Sequence, residues 1–514
     1  MPPNEDRRGR IVGDFDPIGI RIARRSAVRL GRLRHDAIRT GTGAAILQEL
    51  TAALRLVPPA ARRRALTGPD LRGFLSEAEL WGSALSLAGE VDRRGLPARR
   101  RRALVAKLFD RAARSKYLVT LVPGGRVDRF FPRRVARLAR RRLLEGFDDL
   151  AAFVLGLRLA RPSSRRSLLT LRFREEPEQG RPRHRIDLGT VQTDEGPVGI
   201  ERRDGTERID VRLSGRTLIL RSSRGGLTVI PAAGSRLRRP ADGHSTGRNR
   251  RGRIRGGGSA SLRLVRRERI PGSPILLAPA LRSRGRRLSV GSPMQGAGVR
   301  LSRALGIVRT AWPEGYREIL SRTIMVVPVR EPRLVSYSLA SRPGISFINL
   351  AGKRLIDLAD DLLHETAHHR LHDLEELAPL LRRGAATDEV QAFDSPWHGT
   401  RRPLHGLLHG AYTFLFRAEL FIRILESSRA RPGLFVDLLR GGRRRWLRSE
   451  INREIEGIGA ALQDLTSASR ERLLTGAGRR LLGELRARHS SLRARVSRLS
   501  ARVRPSGRRV RRSD

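Results

Sequence analysis

Leu362-Leu363-His364-Glu365-Thr366-Ala367-His368-His369 is the stretch on which both fold and chemistry turn. In a helix, positions i and i+4 share a face one turn apart, so His364 and His368 can aim two imidazoles at one cation. Glu365 lies beside them, where a carboxylate can reach a cation-bound water without being a ligand. Such a pattern arises by chance in a chain of this histidine content at a rate on the order of one in a hundred. The surroundings raise its weight: seven of the eleven histidines, His364, His368, His369, His372, His398, His405 and His409, fall in this short part of the chain. His369 and His372 read as surface or supporting residues.

Outward from the motif, the pattern predicts a helix from about Leu355 to Leu377, stopped before Pro379. Three short strands precede it, Thr323–Val329, Val335–Leu339 and Ile345–Leu350, and before them a helix over Val299–Arg322, interrupted near Pro313. After a loop containing Ser395-Pro396-Trp397, which shapes the site entrance or packs the loop, Pro403 opens another helix running to about Glu426. The expected fold class is α+β, mostly α-helical, with a small zincin-like β-sheet packed on the HExxH helix and a short-stranded middle segment.

A third ligand is needed. Arg402-Pro403-Leu404-His405-Gly406-Leu407-Leu408-His409-Gly410 places His405 and His409 on one helical face and Gly406 and Gly410 on a parallel stripe. Glycine inside a helix costs about 1 kcal/mol relative to alanine. Two at this spacing predict close approach of the HExxH helix, which brings His409 or His405 to the ion. His409, deeper in the helix, is the preferred third ligand and His405 the alternate. Glu419 is the carboxylate alternative, but it lies too far along a straight helix to share an ion with His409. Arg402 is a candidate clamp for a substrate or cosubstrate carboxylate, weighed against being one surface arginine of many. Tyr412 is a candidate for polarising a substrate oxygen, weighed against an ordinary core tyrosine.

Composition narrows the chemistry. The 514 residues contain no cysteine, which excludes disulfides and thiolate metal sites. The formal charge is +54, yet only Lys107, Lys116 and Lys353 of the 105 basic residues are lysine. Such an arginine preference, beside abundant Ala, Gly and Leu and few aromatics, fits coding bias better than selection for phosphate contacts, so nucleic acid is not the expected partner. Residues 351–430 hold 12 acidic and 10 basic residues, a net −2, so the rest of the chain carries +56. The motif sits in this near-neutral island.

Five regions are expected: a basic helical region at 1–160, whose first 40 residues read as loosely ordered; a β-rich segment at 161–233; a Gly/Arg-rich linker region at 234–297; the HExxH metal-binding core at 298–430; and a helical C-terminal region with a basic tail at 431–514. No stretch reaches the ~18 uncharged apolar residues that span a bilayer, and the first residues lack a signal-peptide core, so a cytoplasmic protein is expected.

The strand Arg342-Pro343-Gly344-Ile345-Ser346-Phe347, the HExxH helix and the run from Ser395-Pro396-Trp397 to His409-Gly410 together resemble the HEXXH motif-containing putative peptide modification protein family. The likeness covers roughly 298–430. It implies an enzyme that tailors a ribosomally made precursor peptide, with iron(II) and 2-oxoglutarate hydroxylating a side-chain β-carbon. His364, His368 and the downstream histidine would then hold iron, and Arg402 would pair with the far carboxylate of 2-oxoglutarate. A basic surface suits an acidic precursor peptide. Two other functions compete. One is a zinc metallopeptidase in which Glu365 takes a proton from zinc-bound water; the other is a non-enzymatic basic protein that binds nucleic acid or peptide.

Overall fold

A computed structural model describes most of residues 17–91, short pieces between 96 and 154, the strands between 167 and 290, and nearly all of 294–501 (333, 341, 342, 383–392 and 398 excepted). The expected basic tail after 501 lies outside the described residues.

Residues 17–40 are helical, where loose order was expected, because their apolar residues repeat at helical spacing. In α1 (Pro17–Thr40), Ile22, Ala23, Ser26 and Leu30 are buried while arginines line the other side. The next helices are α2 (Ala44–Leu56), α3 (Pro59–Thr67) and α4 (Pro69–Val91).

The β-rich middle forms two antiparallel groups. Ser167–Phe173, Glu207–Ser214, Thr217–Ser222 and Leu227–Pro231 pair in that order, and Thr190–Thr193, Gly196–Arg202 and Leu262–Arg266 pair in theirs. The stretch read as linker, 234–297, is therefore strand-forming from residue 262 onward. Two of its short strands, β1 (Leu276–Leu277) and β2 (Leu281–Arg284), join the sheet beside the motif. Arg/Gly-rich composition hid their alternation.

That sheet is small and mixed. At its centre β3 (Met325–Arg330) runs parallel to β5 (Ile345–Asn349), Met325 opposite Ile345. Both are almost continuously buried, as parallel strands covered on two faces are. β1 and β2 lie parallel to β3, and β4 (Tyr337–Ser338) closes the other edge antiparallel to β5, Tyr337 stacking on Phe347 at 4.5 Å.

α5 (Ala297–Ala311) and α6 (Pro313–Arg322) break where Pro313 takes the first position of the second helix. The motif helix α7 (Leu355–Leu377) starts with a box in which Asp357 accepts from the Arg354 backbone at 2.9 Å. α8 (Leu404–Ala430) begins after Pro403, and its residues from Ala411 to Leu425 are nearly all buried, as befits the central helix of the core. α9 (Arg443–Arg470) and α10 (Gly476–Ala501) pack on it.

Carboxylates of the near-neutral island are matched by arginines and a lysine. Asp360 pairs with Arg417 at 2.6 Å and Asp361 with Lys353 at 2.5 Å. Buried Asp373 lies between Arg72 of α4 at 2.7 Å and Arg322 of α6 at 2.5 Å. Among the described residues, no helix is long and apolar enough to cross a membrane.

Candidate metal centre

α7 and α8 pack antiparallel, which fixes who meets whom. Asp360 meets Arg417 at one end, His368 meets His409 in the middle, and Glu375 meets His405 at the other end. The i+4 period of α7 then divides its polar residues into two stripes. Asp360, His364, His368 and His372, with Glu375 one turn on, make the stripe toward α8. Asp361, Glu365 and His369 make the stripe toward the sheet: Asp361 accepts from Ser336, Glu365 lies beside Ser338, and His369 reaches β5.

On the first stripe, Nδ1 of His368 and Nδ1 of His409 stand 3.1 Å apart. Metal–nitrogen bonds of about 2.0–2.1 Å, at angles from right to tetrahedral, set donor spacings of roughly 2.8–3.4 Å, so the pair is spaced as two ligands of one ion would be. Burial pushes His409 down to about 4, with the Glu375 carboxylate opposing. Burial, helped by the neighbouring imidazoles, holds His368 well below the ordinary imidazole value. Both rings are neutral at pH 7, the form that binds a metal.

Nε2 of His409 lies 3.2 Å from Glu375 Oε1, so His409 donates its proton there and turns a bare Nδ1 lone pair toward His368. Glu375 is the hub of the site: His405 Nε2 stands 3.0 Å from the same oxygen and His372 Nδ1 3.2 Å from Oε2. Burial would raise this carboxyl, but the bonds from His372, His405 and His409 outweigh it and hold the group below the carboxylate range.

Two sets of three donors lie within 4.8 Å of one another, His368 with His372 and His409, and Glu375 with His405 and His409. The anticipated pair His368 and His409 is thus brought together, and the alternate His405 sits in the second set. His364 belongs to neither set. Its ring is 4.9 Å, centre to centre and edge-on, from His368 and 5.2 Å from Phe414. Glu375 was missed in the sequence, although its place three residues after His372 and seven after His368 puts it on the histidine face.

Glu365 is buried, and its Oε2 has no hydrogen-bond partner among the described residues. Burial, reinforced by Asp361, pushes its carboxyl up to about 8 against Ser338 and Lys353. His369 corrects an expectation: it is a core residue, not a surface one. The Gly344 N–H donates to its Nδ1 at 3.3 Å and its Nε2 meets Ser346 Oγ at 3.1 Å, while burial pushes the ring down to about 3.

The glycine stripe also has another cause than helix approach. A Cβ on Gly410 would stand 2.6 Å from the Trp397 ring, and one on Gly406 would touch the Arg402 stem at 3.5 Å. The Ser-Pro-Trp turn therefore packs the loop: Trp397 stacks on Phe414 at 4.4 Å, donates to Glu454 at 2.8 Å, and through Phe414 backs His364.

Arg402 is half-buried on a two-residue strand one turn before His405 and makes no ion pair among the described residues. Tyr412 is a buried core residue beside Phe416 and Arg370, its phenol pushed up to about 12 by burial. Glu419 is ion-paired to Arg423 and Arg495 at 2.6 and 2.7 Å, far from the histidines along α8. His398 lies outside the described residues.

The site so built is a cluster of imidazoles and one carboxylate between two antiparallel helices, donors that could hold a metal ion. No protein-family model matches the chain, and no curated protein matches it.

Proposed function

We propose that this chain is a metal-dependent enzyme that modifies a ribosomally made precursor peptide, by side-chain hydroxylation with iron(II) and 2-oxoglutarate. One observation carries the metal: His368 and His409, 41 residues apart in sequence, present neutral Nδ1 atoms 3.1 Å from each other. The third imidazole is His364, as the family resemblance implies, or His372, which the donor spacing favours. Peptide and cosubstrate rest on the resemblance of residues 298–430.

Iron(II), when bound, would activate dioxygen, with 2-oxoglutarate as the co-reductant: one oxygen atom would go to the peptide C–H bond and the other to succinate, with carbon dioxide released. The protein's own side chains hold and orient. Glu375 fixes the tautomer and plane of His409. The Trp397–Phe414 stack excludes water behind His364. Arg402, unpaired among the described residues, is a cation free to take the far carboxylate of a dicarboxylate.

A zinc peptidase is the second reading, and Glu365 favours it. This carboxyl is adjacent to His364 in sequence, buried, and beside Ser338 of the antiparallel edge strand β4.

Metal analysis after anaerobic purification, followed by incubation in air with 2-oxoglutarate and a precursor peptide from the genomic neighbourhood, separates the readings. Bound iron, succinate formation and a peptide heavier by one oxygen are expected. Stoichiometric zinc with peptide cleavage indifferent to 2-oxoglutarate would overturn the hydroxylase in favour of the peptidase. Absence of any bound metal would overturn both and leave the non-enzymatic basic protein.

A further inference from the structure

We infer a second cation site, sharing His409 with the first, formed by Glu375, His405 and His409 at the outer end of the helix pair. It rests on the metal-dependent reading above and extends it, because the proposed enzyme needs only the inner ion.

Two nitrogens on α8 converge on one oxygen of α7. His405 Nε2 is 3.0 Å and His409 Nε2 3.2 Å from Glu375 Oε1, and all three donors lie within 4.8 Å of one another. This is the spacing of three ligands on one face of a cation, and the donor set is two imidazoles with one carboxylate. His409 can serve both ions because its two nitrogens point opposite ways: Nδ1 inward to His368, Nε2 outward to Glu375. When a cation enters at Nε2, the proton that His409 otherwise donates to Glu375 leaves to water.

Burial gives the outer ion its path. The His405 side chain is 45 % exposed while those of Glu375 and His409 are 22 % and 10 %. The outer site thus opens to solvent on the His405 side and is backed by the inner cluster. Its ligand is a first-row divalent ion such as Zn(II), Co(II) or Fe(II). Calcium and magnesium, which take oxygen donors, are excluded by a set with two nitrogens.

Equilibrium dialysis of the full chain against Zn(II), with metal counted per chain, tests this. Wild type is expected to bind one equivalent more than His405→Ala, which touches only the outer set, and one more than His368→Ala, which touches only the inner. His409→Ala is expected to lose both. Circular dichroism checks that each variant is folded, and the exposure of His405 makes its truncation mild. Equal binding by wild type and His405→Ala, with loss of one equivalent in His368→Ala, overturns the outer site and leaves the inner one standing. A single wild-type equivalent lost in both variants overturns the two-ion arrangement. Zinc bound by none of the proteins overturns both sites.

Discussion

Alanine at Gly410 destabilises the protein, while alanine at Gly406, one turn earlier on the same helix, stabilises it. A Cβ at 410 would stand 2.6 Å from Cζ3 and 2.9 Å from Cε3 of Trp397, so the indole has to move. Three contacts hold that indole in place: the Phe414 stack at 4.4 Å and 8°, the hydrogen bond to Glu454 at 2.8 Å, and the close face of Gly457 on α9. Alanine gains about 1 kcal/mol of helix propensity. Against that stand about 1–3 kcal/mol for overpacking, about 0.5–1.5 for the aromatic pair and about 1.5–3 for a hydrogen bond to a carboxylate. The lower limits alone give a net loss of roughly 2 kcal/mol. At Gly406 the nearest atoms, Arg402 Cδ and Cβ, lie at 3.5 and 3.6 Å, ordinary contact, so the propensity gain survives. Urea unfolding of the chelator-treated full chain, followed by circular dichroism, ranks the midpoints Gly406→Ala above wild type above Gly410→Ala. A Gly410→Ala midpoint at or above wild type would refute the packing role given to Trp397.

Glu365 predicts a pH effect in metal-free protein. Its folded carboxyl lies at about 8 against an ordinary 4.5, so the stability it contributes is full below about 4.5 and is lost as pH rises through 8. Glu365→Gln, which does not titrate, flattens stability over that window, and equal slopes in both proteins would show that the carboxyl is solvated. Asp373→Ala removes the carboxylate shared by the buried guanidinia of Arg72 and Arg322, leaves Arg72 paired with Glu376 and Arg322 with Glu318, and is expected to cost about 1.5–3 kcal/mol in a urea or thermal melt. A loss below about 1 kcal/mol would mean that water already screens the trio.

Much of this architecture is written in local pattern. Leu355–Leu377 is helical end to end as its caps and Pro379 predict, and Pro403 opens α8. Strands at Met325–Arg330 and Ile345–Asn349 are apolar runs too short for helices. Periodicity likewise put His364 beside His368 and His405 beside His409. Partner choice across helices was less legible. It depends on the antiparallel register of α7 on α8, which sets His368, not His364, against His409 and makes Glu375 the hub. The glycines were read for helix approach alone: at Gly410 it is an indole that demands the small residue, and only the position of Trp397 shows it. α1 and the strands after residue 262 went unseen because arginine at so many positions blurs both helical and alternating patterns.

Where α7 ends, it carries Asp373, Glu375 and Glu376 and no basic residue in its last turn, the reverse of what a helix dipole favours. Arg25 donates to the Leu377 carbonyl at 3.0 Å, Arg29 pairs with Glu376 at 2.9 Å, and Arg72 reaches both Asp373 and Glu376. The counter-charge for the histidine-bearing rod is thus lent by helices 304 to 352 positions upstream. A version of the chain trimmed to the motif and its C-terminal partners would leave that acidic tip naked. At these few places an arginine excess resembling genomic habit becomes a condition for the fold, and any dissection of the chain into working parts has to keep its front end.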